Sequence, residues 1–351
     1  MISPTCESII GCLLGTAVGD AFGLPYEGLS KRRQVRLYPH LNQYEFLFVR
    51  GMIYDDTEHT CMVEQSLIVS AGNVDIFKQD LAIRLRFWLL GLPAGIGYGT
   101  LKSILKLWLG YRSGVFSAGN GAAMRSAIIG VCYGDDLRKL RQLVRASTRL
   151  THTDPKAEYG AFAVAFASYL SSRKSQVYPQ NYYCQLANIL GAEAAEFLEL
   201  IEKACYSADA GESTAYFASQ LGMNNRVSGY VYDTVPVVIQ TWLRHQQDYP
   251  TAIREIIRCG GDTDTTAAIL GGIIGASVGK EGIPTAWLQG LWEWPRTKVW
   301  IELLGKRLAD VCKQGAAQRA LSLPMPVILL RNLLFLIVVI VHGFRRFLPP
   351  Y

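Results

Sequence analysis

Ser8-Ile9-Ile10-Gly11-Cys12-Leu13-Leu14-Gly15-Thr16-Ala17-Val18-Gly19-Asp20-Ala21-Phe22-Gly23 places a glycine at every fourth position of a mostly apolar run. Gly271, Gly275 and Gly279 repeat that spacing far along the chain. An interior glycine costs a helix about 1 kcal/mol relative to alanine, so these segments need an offsetting gain if they are helical. A spacing of four aligns the glycines in one ridge, along which two helix axes can approach closely. Such packing can bring the acidic ends of the two segments together in the middle of the fold.

Outward from these segments, apolar residues recur at intervals of three and four, while strand signals are sparse. The pattern predicts helices over Glu7–Phe22, Thr57–Ser70, Phe77–Leu90, Gly121–Val131, Asp136–Arg149, Lys156–Ser171, Ala192–Ala208, Tyr232–Arg244, Tyr249–Cys259 and Thr263–Val278. An all-α globule follows. No repeat and no Pro- or Ser-rich linker divides the chain before about Leu321, so residues 1–320 read as one domain and 321–351 as a separate hydrophobic tail.

Half of the 351 residues are hydrophobic, enough for a substantial core. The net charge of +6 is modest for this length, and the basic residues are scattered apart from short clusters such as Lys31 to Arg33, which disfavours nucleic acid as the partner. The 8 cysteines show no CxxC pair and mostly sit in apolar runs, as expected of buried thiols in a reducing cytosol. Ser8 to Gly23 is interrupted by glycines and Asp20 and lacks a basic leader, unlike a secretion signal.

Two acidic motifs can carry chemistry. Tyr54-Asp55-Asp56-Thr57-Glu58-His59 precedes a helix, where adjacent acids suit the positive end of the dipole and can simply cap free N–H groups. Gly260-Gly261-Asp262-Thr263-Asp264-Thr265-Thr266 opens the glycine-ridged helix and offers five oxygen-bearing side chains in five positions, where a cap needs one. Together the motifs supply carboxylate and hydroxyl oxygens without cysteine or a spaced histidine pair, a set that suits Mg²⁺ or Mn²⁺ rather than Zn²⁺ or copper. Two facing acidic clusters repel unless cations lie between them, and a pair of ions about 3.5 to 4 Å apart is the usual solution.

Ser117-Ala118-Gly119-Asn120-Gly121-Ala122-Ala123-Met124-Arg125 is a glycine-rich turn opening a helix. Its N–H groups can bind phosphate, or it is a turn alone; it is neither a Walker A loop nor a dinucleotide fingerprint. Thr151-His152-Thr153-Asp154-Pro155 starts another helix, with Asp154 as N-cap and Pro155 at the first position. His152 reads equally as a core or capping residue.

These four segments, in this order, resemble the ADP-ribosylglycohydrolase family, from Gly11 through Asp20-Ala21-Phe22-Gly23-Leu24-Pro25-Tyr26-Glu27-Gly28 to the Gly-Asp-Thr-Asp-Thr segment, over about residues 8 to 280. The resemblance implies a compact all-α, orthogonal multi-helix bundle with two Mg²⁺ or Mn²⁺ ions at its centre. It implies hydrolysis of the glycosidic bond between ADP-ribose and a modified side chain, so that the partner is an ADP-ribosylated protein or an ADP-ribose-containing small molecule. By motif position Asp55 and Asp56 resemble one group of ligands, and Asp262, Asp264 and Thr265 the other. Asp55, Asp56 or Asp264 also resembles the catalytic base, and Glu27 the acid of a mobile loop that covers the site. Gly119, Asn120 and Gly121 would hold the diphosphate or proximal ribose, with Met124 and His152 lining the nucleotide pocket. The family usually carries Thr or Ser before the paired aspartates, whereas this chain has Tyr54, whose phenol oxygen cannot reach the point a threonine hydroxyl reaches. One ion is then expected to be weak or absent, and a member that binds ADP-ribose without hydrolysis is the alternative.

After Pro324 and Pro326 the composition changes, with Val327 to Arg331 leading into the apolar run Leu333 to Val341 and then Arg345-Arg346. As a helix, Val327 to Phe344 would be about 27 Å long, and Arg331 and Asn332 interrupt it. Apolar residues all round such a helix exclude an ordinary solvated one. Shallow membrane attachment is the favoured reading, with Arg331, Arg345 and Arg346 reaching for headgroups, and docking on a partner or on the chain's own domain the alternative.

Overall fold

Residues 4–345 are described by a computed structural model, and among them there are four isolated β-bridges and no strand. The helices in chain order are α1 (Cys6–Gly23), α2 (Lys31–Leu37), α3 (Asp55–Ser70), α4 (Val74–Leu90), α5 (Tyr98–Trp108), α6 (Ala127–Tyr133), α7 (Leu137–Arg149), α8 (Pro155–Arg173) and α9 (Pro179–Leu190). They continue with α10 (Ala195–Asp209), α11 (Thr214–Gln220), α12 (Val231–Arg244), α13 (Tyr249–Ile257), α14 (Thr263–Val278), α15 (Thr285–Gly290), α16 (Lys298–Gln314) and α17 (Met325–Arg345). Most of the expected helices are present within a few residues of their expected ends. Gly121–Val131 is not one helix: a 3₁₀ turn over Asn120–Arg125 precedes α6, with the Ser126 hydroxyl donating to the Ala122 carbonyl at the junction. Asp154 does cap α8 through the Lys156 N–H, with Pro155 first in the helix.

The glycine ridges meet. A Cβ on Gly11 would lie 2.1 Å from the Gly275 carbonyl oxygen, one on Gly15 2.1 Å from that of Gly271, and one on Gly23 2.2 Å from that of Thr263. The matched steps show α1 and α14 running antiparallel with backbones in contact, which no residue larger than glycine permits at those points. α3 and α16 pack on α1, while α8, α12 and α13 pack on α14, so the paired helices form the centre of the fold. Because they are antiparallel, the C-terminal end of α1 lies at the N-terminal end of α14, where the Thr263 hydroxyl donates to the Gly23 carbonyl at 2.9 Å. Gly279 differs from the ridge glycines: it ends α14 at φ +64° with an extended ψ, a conformation open to glycine alone.

All eight cysteines are free thiols; Cys12, Cys61, Cys132, Cys205 and Cys259 are buried, Cys6 and Cys312 half-buried, and Cys184 is exposed. The tail folds back as α17, which lies against the body along most of its length. The Arg331 guanidinium is 2% exposed and grips Glu293 at 2.6 Å, while donating to the Ile53 carbonyl. Asn332 donates to the Gly91 carbonyl at 2.8 Å, and His342 Nε2 to that of Pro25 at 3.1 Å. The expectation that Arg331 reaches for headgroups is therefore overturned, because its charge is matched by a buried carboxylate; the Arg345 side chain and Arg346 lie outside the described residues.

Candidate metal centre and substrate cavity

The N-terminus of α3 is capped from another helix. Asp20 of α1, the lone charge in the Ser8–Gly23 run, accepts from the N–H groups of Tyr54 at 2.8 Å and Thr57 at 3.1 Å, and from the Thr57 hydroxyl. Asp20 thus satisfies donors that Asp55 and Asp56 would otherwise be needed to cap, leaving their carboxylates for the interior. Glu58 and His59, on the same turn, have structural partners: Glu58 takes the Trp88 indole N–H at 2.6 Å and Arg296 at 2.7 Å, and His59 Nδ1 lies 3.0 Å from Arg125.

Across from this turn, Gly260 and Gly261 adopt φ +70° and +86°, and a Cβ on Gly261 would lie 2.0 Å from the Val227 carbonyl oxygen. This tight approach swings the start of α14 towards α3. Asp55, Asp56 and Asp264 each place a carboxylate oxygen within 4.8 Å of the others. Thr265 donates its hydroxyl to Asp56 Oδ2 at 3.3 Å. Asp262 stands at the edge of this cluster, one oxygen taking the Asn120 amide at 2.7 Å.

Burial pushes the carboxyls of Asp55, Asp56 and Asp264 well above the ordinary aspartate range, and the neighbouring acids push them further. Oδ1 of Asp56 and Oδ1 of Asp264 are buried without a hydrogen-bond partner. Three converging carboxylates with unpaired oxygens, beside a hydroxyl, fit a hard divalent cation, which would remove the repulsion and satisfy the orphaned atoms.

Above the cluster opens a cavity of about 480 Å³, within the range of small-molecule sites. Gly119, Asn120, Gly121, Met124 and His152 all line it. The turn is laced to a second loop, with Asn120 N–H donating to Gly229 O and Val231 N–H to Ala118 O, both at 2.9 Å. His152 Nδ1 lies 2.8 Å from the Thr151 hydroxyl, and Nε2 would be 3.2 Å from a Cβ on Gly119. Burial, and secondarily the Arg125 charge, lower the His152 imidazole to about 3, so it is neutral near pH 7.

Glu27 lines the cavity in the turn after α1, and its charge contributes to raising Asp55 and Asp264. The turn is anchored just beyond it: Gly28 N–H donates to Gly261 O at 2.7 Å and Gly261 N–H to Leu29 O at 3.0 Å. Tyr54 lines the cavity wall and reaches with its phenol to Gly95. Its oxygen occupies the place of a Gly95 side chain, 1.1 Å from where a Cβ there would stand, and its ring lies 5.6 Å from that of Phe335 in α17. The oxygen at position 54 is thus a phenol held at Gly95 and not a short hydroxyl beside the backbone.

Three parts of the site had not been anticipated. Asp20 carried a signal, as an acid alone in a buried apolar helix. The exposed Arg226 and its loop, and the glycine segment around Gly95, Gly97 and Gly99, also line the cavity, yet in sequence each looks like an ordinary turn.

Residues 2–317 match the family model described as ADP-ribosylglycohydrolase. An uncharacterized protein of Archaeoglobus fulgidus is 31% identical over 87% of this chain and 97% of its own. The ADP-ribosyl-[dinitrogen reductase] glycohydrolase of Rhodospirillum rubrum is 25% identical, covering 81% of this chain and 90% of that one. ADP-ribosylhydrolase ARH3 of Gallus gallus is 28% identical over 80% and 87% respectively. A solved structure titled ADP-ribosylglycohydrolase-related protein complex superposes with a TM-score of 0.58 at 23% identity, covering 88% of this chain and 98% of that chain, and so shares the fold.

Proposed function

This chain belongs to the ADP-ribosylglycohydrolase family, and we propose that it hydrolyses the bond between ADP-ribose and a modified protein side chain, arginine foremost, using Mg²⁺ or Mn²⁺. It is a glycohydrolase acting on ADP-ribosylated substrates, as its family and relatives are. The observation that carries the metal reading is the cluster of Asp55, Asp56 and Asp264 with its orphaned oxygens under the cavity. Glu27 and Asp55 on the cavity wall supply the negative surroundings that suit a guanidinium acceptor.

Asp55, Asp56 and Asp264 would hold one ion, with Thr265 and Asp262 at the edge available to a second, weaker one. When bound, the ions supply electrophilic grip on ribose hydroxyls and a more acidic water. The Gly119–Gly121 turn and Arg226 orient the diphosphate, while Met124 and neutral His152 confine the nucleotide. Water adds its hydroxyl to the anomeric carbon, the bond to the acceptor atom breaks, and the water's proton leaves through a carboxylate of Asp55, Asp56 or Asp264 to the departing group. Positive charge developing on the ribose is offset by these same carboxylates.

Release of ADP-ribose from arginine-modified and serine-modified protein, with Mg²⁺ or Mn²⁺ titrated in, tests substrate and metal together. Asp264→Asn is expected to lower release by on the order of a thousandfold and to weaken Mn²⁺ binding, and full retained activity would refute the assignment. The direction of the Tyr54 phenol supports a second reading, an ADP-ribose binder without turnover. Calorimetry with ADP-ribose beside the release assay separates the two, since binding without release at every metal concentration marks a binder.

A further inference from the structure

Arg331, Asn332 and His342 of α17 face the body together with Phe335, and most of its other apolar residues face outward. Arg331, Asn332 and His342 are buried on the body, whereas Leu330, Leu333, Leu334, Ile337, Val341 and Phe344 are exposed, Ile337 by 57% and Phe344 by 68%. A surface helix in contact with water alone has the opposite arrangement. The apolar field continues on both sides of the helix. Leu90 and Leu92 are exposed beside Gly91, whose carbonyl holds Asn332, and Phe48 and Val49 are exposed near Phe46, whose ring lies against Phe335 and His342. A basic edge adjoins it: Arg50 is exposed after the Phe48–Val49 turn, and α2, which leads to Tyr38 stacked 6.5 Å from His342, carries exposed Arg32 and Arg36. The family match ends at residue 317, so α17 lies outside the matched segment.

We propose that this face is a docking surface for an anionic phospholipid bilayer, with α17 lying flat in the boundary between headgroups and acyl chains. The helix is 21 residues long, about 31 Å, and touches the body from Ile328 to His342, so it lies along the protein instead of projecting from it. Spanning the bilayer would require Arg331 to leave Glu293, and the docked arrangement keeps that pair. Its most apolar 18-residue window has a mean hydropathy of 2.4. From Leu333 to Val341 the chain offers no polar side chain that could set the register of a protein partner, whereas lipid tails need none. The basic edge complements anionic headgroups. This surface is independent of the hydrolytic reading, since none of its outward residues lines the cavity.

Full-length protein is mixed with phosphatidylcholine vesicles, with and without phosphatidylserine, and centrifuged. The wild type is expected to sediment with the phosphatidylserine vesicles. The variant Leu334→Glu/Ile337→Glu/Val341→Glu changes only the outer face and should lower vesicle partitioning on the order of a hundredfold or more while leaving the melting temperature and ADP-ribose release as they were. Wild type that stays in the supernatant overturns the proposal, as does a variant that sediments equally. A wild-type dimer that the variant dissolves, without vesicle binding by either, assigns the face to a second copy and also overturns it.

Discussion

The seat of Tyr54 on the cavity wall is set by the smallest of residues. Tyr54 and Gly95 form a matched pair, because the phenol oxygen fills the space that any Cβ at Gly95 would need. Gly95→Ala is expected to destabilise the wild type by at least 1 kcal/mol more than it destabilises a Tyr54→Thr background, where only the cost of alanine at φ +65° remains, as denaturant melts of the four proteins would show. Tyr54→Thr itself should tighten Mn²⁺ binding, since a short hydroxyl beside the backbone replaces one held at Gly95; manganese resonance titration checks this. His152 makes a prediction about acid. Its folded value of about 3 lies below the unfolded one of about 6.5, so the unfolded chain takes a proton that the folded chain refuses as pH falls between them. By pH 5 that costs about 2 kcal/mol, and His152→Gln should lose correspondingly less stability than the wild type between pH 7 and 5 in urea titrations. The acidic motifs were legible in sequence because their residue types name their chemistry. The direction of Tyr54 was not, because a rotamer is chosen by neighbours such as Gly95 and Phe335 that come from distant parts of the chain.

At the scale of the element, α1 and α14 show how a weak local preference becomes a strong tertiary constraint. Replacing Gly15 by Ala inserts a methyl 2.1 Å from the Gly271 carbonyl oxygen, and because both sides are backbone neither can yield without separating the helices. A loss on the order of 3 kcal/mol or more is expected in chemical denaturation, against a small gain if helix propensity governed. The ridge itself was readable from its period of four. The helix α16 was equally readable, with Ile301, Leu304, Leu308 and Val311 buried on one face and Thr297 capping its start, yet it was not among the expected helices. The orientation of α17 was not readable, since a helix apolar on nearly every side has no face that hydropathy alone prefers. The polar partners that Arg331, Asn332 and His342 find on the body, Glu293 and the carbonyls of Ile53, Gly91 and Pro25, decide the matter.

For the molecule as a whole, the buried carboxylates repel one another, and under the proposed metal reading a cation would relieve that repulsion and couple its binding to folding. Saturating Mg²⁺ or Mn²⁺ at a hundred times its dissociation constant should add about 2.7 kcal/mol to stability, read as a melting temperature that rises with metal and falls on chelation. In Asp264→Asn that dependence should shrink. The antiparallel pairing of α1 with α14 has a further consequence, in the time course of synthesis. Residues that meet across the centre are separated by most of the chain, so the average contact there has a high order and forms late. At roughly 5 to 20 residues per second, α1 leaves the ribosome many seconds before the segment that covers its glycine ridge. During that interval its exposed apolar surface is a natural client for chaperones, and the carboxylate cluster, which needs the first turn of α14 beside that of α3, cannot form until translation has passed Asp264.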